Sequence, residues 1–228
     1  MPPACEDLLR HCLLLDIEVN EKNVIYALGA VLGEQVFQIP AGEKIDRDTL
    51  AELDAFAAEA RFVLGHNILN HDLPRLRQVA PELRFLRKPK IDTLFLSPLA
   101  YPANPYHRLI KNYQLVRDSI NDPVRDAFLA GRVFTEQWDA LQGQFAARAD
   151  IPLLYRGFLA ADLDLAGTAE ALAAMDIPLL AGDDLVETFA WFARERACKP
   201  AVEQLVLQLA DGALPTAPLA YVTAWLSV

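Results

Sequence analysis

The chain has 228 residues, 53% of them hydrophobic, and a formal net charge of −10. That length and apolarity suit one large domain, or one domain with a smaller companion, and exclude extensive disorder. Residues 1–148 hold 17 Lys+Arg and 20 Asp+Glu, and residues 149–228 hold 4 and 11, a balance that excludes a broad nucleic-acid-coating surface while leaving room for a local groove.

The N-terminus, Met-Pro-Pro-Ala-Cys-Glu-Asp, lacks the basic and apolar segments of a signal peptide. No apolar run approaches the roughly 18–20 residues that span a bilayer. A cytoplasmic chain with no membrane partner is therefore expected. Cys5, Cys12 and Cys198 show no metal-ligand spacing and read as free thiols.

Three strands are expected first, at Cys12 to Val19, Val24 to Leu32 and Gln35 to Ile39, with linkers short enough for antiparallel hairpins. In the first of them, Leu13-Leu14-Leu15 leads into Asp16-Ile17-Glu18. Residues two apart on a strand share a face, so Asp16 and Glu18 project together while Ile17 turns into the core. Two adjacent carboxylates repel each other and lose hydration, and a divalent cation between them relieves both costs.

Asp48 or Thr49 can cap a helix running to about Ala60, with Leu50, Leu53, Phe56 and Ala57 inward. Phe62 to Gly65 reads as a short buried strand, and a helix follows from about Asp72, with Pro74 in its first turn. Residues 81–105 are Pro-rich and irregular, and they carry the basic cluster Arg84, Arg87, Lys88 and Lys90, which could meet backbone phosphates or be an ordinary solvated loop. Tyr106 to Val116 is expected to be helical, with His107, Arg108 and Lys111 interleaved with Tyr106 and Tyr113 as a strand-binding strip or a packed helix. Another helix starts near Pro123.

From about residue 135 the pattern becomes helical, with segments expected at 135–148, 166–175, 183–197, 199–210 and 217–227. Trp138, Trp191 and Trp225 are expected to pack these helices. The ending Tyr-Val-Thr-Ala-Trp-Leu-Ser-Val has no polar tail and suggests a piece of a longer protein.

Acidic residues recur at strand ends and helix starts: Asp16-x-Glu18, then Gly65-His66-Asn67-Ile68-Leu69-Asn70-His71-Asp72, then Asp122-Pro123-Val124-Arg125-Asp126-Ala127. Asp16, Glu18, Asp72 and Asp126 could converge on two hard cations, which take oxygen ligands. Asp72 and Asp122 could equally serve as helix caps, and Asp126 could be a solvated helix acid.

This order resembles the DEDD (DnaQ-like) 3′–5′ exonuclease superfamily. Asn67-x-x-x-x-Asp72 with Leu73, Pro74 and Leu76 looks like the proofreading exonuclease of family B DNA polymerases. Tyr106 to Lys111 and Asn121 to Ala127 are more similar to exonuclease-like domains that precede RecQ-type helicases in bacteria. The resemblance covers roughly residues 10–132. It implies an RNase H-like α/β domain at 1–134, a mixed sheet flanked by helices, followed by a helical appendage or linker at 135–228. It further implies two Mg²⁺ or Mn²⁺ ions held by Asp16, Glu18, Asp72 and Asp126, with Asp16 bridging both and Asn67 supporting the backbone or the substrate near Asp72. The implied reaction is hydrolysis of terminal phosphodiesters in single-stranded or frayed DNA, beside a fused helicase domain, in DNA repair or defence.

The superfamily places a Tyr four residues, or a His five residues, before the last Asp, to prepare the attacking water. Here those positions are Asp122 and Asn121. Asp122 could act as a base or an extra ligand, and His107, His66 or His71 could approach instead. A non-catalytic DNA-end-binding module that regulates a fused helicase, and an RNA exonuclease, are the alternatives.

Overall fold

A computed structural model describes residues 1–104 and 122–228. The described chain forms two compact units, one of residues 1–95 and 122–136, the other of residues 96–104 and 137–228.

The first unit is an α/β structure. It opens with α1 (Pro3–Arg10), a helix not anticipated from the sequence, which starts on Pro3 and buries Cys5 and Leu8. Three strands follow, β1 (Cys12–Val19), β2 (Ile25–Leu32) and β3 (Gln35–Ile39), joined as antiparallel neighbours. Then come α2 (Arg47–Phe56), β4 (Phe62–Gly65), α3 (Asp72–Val79), a single 3₁₀ turn at Arg84–Arg87, β5 (Lys90–Asp92) and the start of α4 (Thr93–Ala100), whose residues from Leu96 on belong to the second unit. The strands form a five-stranded sheet in the order β3-β2-β1-β4-β5. β4 pairs parallel to both β1 and β5, so the sheet is mixed.

The strand period sets the two faces of β1. Leu13, Leu15 and Ile17 enter a core shared with Leu50, Leu53 and Ala57 around α2 and with Leu73 and Leu76 of α3. Leu14 is on the opposite face, where it meets Gly131 of α5 (Pro123–Ala147). Asp16 and Glu18 share the parity of Leu14 and so face the α5 side.

Several boundaries differ from expectation. Asp46, rather than Asp48 or Thr49, caps α2, its Oδ1 accepting the N–H groups of Asp48 and Thr49 at 3.1 Å. The apolar run 91–96 is divided: Lys90–Asp92 is the edge strand and Thr93 begins a helix. The basic cluster is mostly structural. Arg84 donates to Asp54 at 2.7 Å, Lys90 is buried, and the Lys88 ammonium donates to the carbonyls of Ala57, Ala58 and Ala60 at the end of α2. Carbonyls at and just past a helix C-terminus attract a cation, and that accounts for Lys88.

The second unit is helical: α6 (Asp150–Leu159), α7 (Ala166–Ala174), α8 (Gly182–Ala193), α9 (Lys199–Ala210) and α10 (Ala217–Leu226) follow the end of α5. The helices expected near Pro123 and at 135–148 are one continuous helix, α5. No proline or glycine pair interrupts 124–147, so no break is imposed. α6 was not anticipated. It packs against α7, α8 and α10, and Phe158 meets Phe189 edge-on at 5.4 Å. Trp138 is fully buried as expected, whereas Trp191 and Trp225 are 63% and 74% exposed and do not pack the helices. No helix among the described residues is long and apolar enough to cross a membrane.

Candidate metal centre

Asp16, Glu18 and Asp126 each bring a carboxylate oxygen within 4.8 Å of the other two. Two come from one strand face and the third from the first turn of α5, whose N-terminal end favours an acid. The approach of α5 depends on Gly29. This residue pairs with Asp16 across the β1–β2 ladder, and a Cβ there would lie 2.2 Å from the Val124 nitrogen and 2.4 Å from the Pro123 carbonyl carbon. The helix start thus rests directly on the β2 backbone. The ladder also shifts register between Glu18 and Val19, an irregularity common beside functional sites.

The electrostatics suit a cation site. Burial pushes the Asp16 carboxyl up to about 8, and the neighbouring Asp72, Asp126 and Glu18 add to the effect. Glu18 is raised too, by burial first and then by Asp126, with His71 opposing. Such shifts mark carboxylates short of positive charge, and hard divalent cations with oxygen ligands supply it.

Asp72 stands beside this trio. It is buried, and its Oδ1 accepts the Ile17 N–H at 2.8 Å. Ile17 lies beyond Leu14–Leu64, the last β1–β4 pair, so the Asp72 carboxylate takes a strand N–H past the end of β4. The N-cap of α3 is His71, whose side chain makes no capping hydrogen bond. The His71 Nδ1 lies 3.3 Å from Asp72 Oδ2, and this contact raises the His71 pKa, with burial opposing and Glu18 adding a smaller upward pull.

The other expected site residues divide. Asn67 adopts a left-handed backbone (φ 61°), and its carbonyl accepts the N–H groups of Asn70 and His71, so it shapes the turn before Asp72. His66 Nδ1 pairs with Thr93 Oγ1 at 2.9 Å, and burial lowers its pKa. Of the readings open for Asp122, the helix cap is the one seen: it is exposed, and its Oδ1 accepts the N–H groups of Val124 and Arg125 at 3.1 and 3.3 Å, outside the trio. A carboxylate ahead of a helix with Pro at its first position finds free N–H groups within reach, and that fixes its direction. Tyr106, His107, Arg108, Lys111, Tyr113 and Asn121 lie outside the described residues. One participant was missed altogether, Asp92, which holds the chain between β4 and α3. Its signal was present in the sequence: an acid inside an otherwise apolar run, directly before Thr93.

No protein-family model, curated protein or solved structure matches the chain.

Proposed function

We propose that this chain is a metal-dependent 3′–5′ exonuclease of the DEDD type with an RNase H-like fold, acting on terminal phosphodiesters of single-stranded or frayed DNA. The observation that carries the proposal is the meeting of Asp16, Glu18 and Asp126 within 4.8 Å. The sheet order β3-β2-β1-β4-β5, antiparallel over the first three strands and parallel over the rest, supports the RNase H-like reading.

Asp16, with Asp72, Asp126 and Glu18 as its charged neighbours, would hold Mg²⁺ or Mn²⁺ together with Glu18, Asp126 and Asp72. Bound ions would supply Lewis acidity and lower the pKa of a nucleophilic water. The chain's own work is positional. The Asp72–Ile17 bond fixes the strand between Asp16 and Glu18. Glu18, only partly buried, can orient a water or a terminal 3′-hydroxyl. His71 is the described imidazole beside the carboxylates and takes the proton-handling role that neither Asn121 nor the capping Asp122 supplies. The likeness of residues 106–127 to helicase-linked domains supports a setting in DNA repair or defence, beside a fused helicase.

The test is incubation of 5′-labelled single-stranded DNA with the protein and Mg²⁺ or Mn²⁺, beside Asp16→Ala. Stepwise shortening that vanishes in the variant is expected. A second reading, a non-catalytic DNA-end-binding module, is favoured by the use of Asp122 as a cap. Retained end binding with no shortening under either metal would establish it instead. A labelled RNA strand in parallel distinguishes an RNA exonuclease.

A further inference from the structure

We propose that Asp92, at the end of β5, is a positioning residue for the acidic cluster: it fastens the chain between β4 and α3, and so sets Asp72 against Ile17 between Asp16 and Glu18. Asp92 is fully buried. Its Oδ1 accepts the N–H groups of Asn67 at 2.8 Å and Leu94 at 2.9 Å, and its Oδ2 accepts that of Leu69 at 3.0 Å. A carboxylate serving only the start of α4 would need the Leu94 N–H alone. The other two donors lie in the neighbouring β4–α3 connection, and they are the reason for a link to the cluster.

The link continues by hydrogen bonds. The Asn67 carbonyl accepts the N–H of His71 at 3.0 Å, and the Ile68 carbonyl accepts that of Leu73 at 2.9 Å. The residues on each side of Asp72 are therefore held by the segment that Asp92 holds. Asp72 Oδ1 then accepts the Ile17 N–H at 2.8 Å. The same junction is pinned a second time, by His66 Nδ1 against Thr93 Oγ1. Two oxygens are required, because three N–H groups converge on the carboxyl from two segments. An amide has one acceptor oxygen and would turn an NH₂ toward a backbone donor. Outer partners of this kind orient the groups that meet a metal, and their loss weakens metal binding without removing a ligand.

The metal readout of this inference rests on the divalent-cation reading above; the backbone readout does not. Asp92→Asn is compared with wild type and with Asp54→Asn, since Asp54 likewise accepts a backbone N–H, that of Phe85, outside the cluster. Mn²⁺ affinity is measured by calorimetry well below each melting temperature, and exchange of the Ile17 amide by NMR. Asp92→Asn is expected to weaken Mn²⁺ binding by about tenfold or more and to speed Ile17 exchange, while Asp54→Asn changes neither. A lowered melting temperature in Asp92→Asn with unchanged Mn²⁺ affinity and unchanged Ile17 exchange would overturn the proposal. Asp92→Ser, which sets no amide against the Leu69 N–H, takes the same measurements if Asp92→Asn does not fold. If wild type binds no Mn²⁺, the metal reading falls and Ile17 exchange alone decides the role of Asp92.

Discussion

Gly29 stands directly across the β1–β2 ladder from Asp16, and the first turn of α5 occupies the space its side chain would fill. The pairing couples a backbone requirement to the chemistry, because the helix that Gly29 admits carries Asp126. Gly29→Ala puts a methyl 2.2 Å from the Val124 nitrogen, which is backbone and cannot swing aside. Overpacking of this kind costs about 1–3 kcal/mol or more. Lower stability together with weaker Mn²⁺ binding is expected, read by urea denaturation and calorimetry on the same variant.

Crowded carboxylates trade stability for function. Asp16→Asn removes the charge that Asp72, Asp126 and Glu18 oppose. Without metal at pH 8 the variant should be more stable than wild type. It should also fail to gain stability from Mg²⁺ and should not cleave DNA. Thermal melts with EDTA and with Mg²⁺ check all but the last.

The same group predicts a pH dependence. Asp16 titrates near 8 in the folded protein, against about 3.9 in an unfolded chain. Between those values the folded state keeps a proton that the unfolded state has released, so metal-free stability falls as pH rises from 5 to about 8. Glu18, also raised, acts in the same direction. Excess Mg²⁺ should flatten the profile and release protons on binding near neutral pH. Calorimetric titrations in two buffers of different ionisation enthalpy would count those protons.

Lys88 separates a structural cation from a nucleic-acid contact. Its ammonium binds the carbonyls of Ala57, Ala58 and Ala60. Lys88→Met should cost about 1–3 kcal/mol and leave the affinity for single-stranded DNA and its salt dependence unchanged. Fluorescence anisotropy at several salt concentrations measures the second outcome.

These cases show what a sequence makes legible. Alternation in 12–19 reveals both faces of β1, because Leu13, Leu15 and Ile17 are apolar and Asp16 and Glu18 are not. Short linkers reveal the two hairpins. The convergence of Asp126 on Asp16 was suggested by motif order, but its physical cause, the bare backbone of Gly29, depends on strand register, which no local pattern encodes. Asp122 and Asp126 are both helix-start acids, and only the direction of the α5 axis assigns one to the cap and the other to the cluster. Lys88 and Arg84 read as solvent-facing cations because their partners, Ala57, Ala60 and Asp54, are about thirty residues away. Asp92 stands out in the sequence as an acid in an apolar run, but its partners do not, since two of its three N–H donors lie more than twenty residues earlier.

The central claim is that Asp16, Glu18 and Asp126 form a divalent-cation centre, and an electron paramagnetic resonance titration with Mn²⁺ tests it most directly. Wild type should bind Mn²⁺ saturably, with Mg²⁺ competing, and Asp16→Ala, folded as judged by circular dichroism, should not. Free Mn²⁺ signal undiminished by wild type, or equal binding by the folded variant, would contradict it.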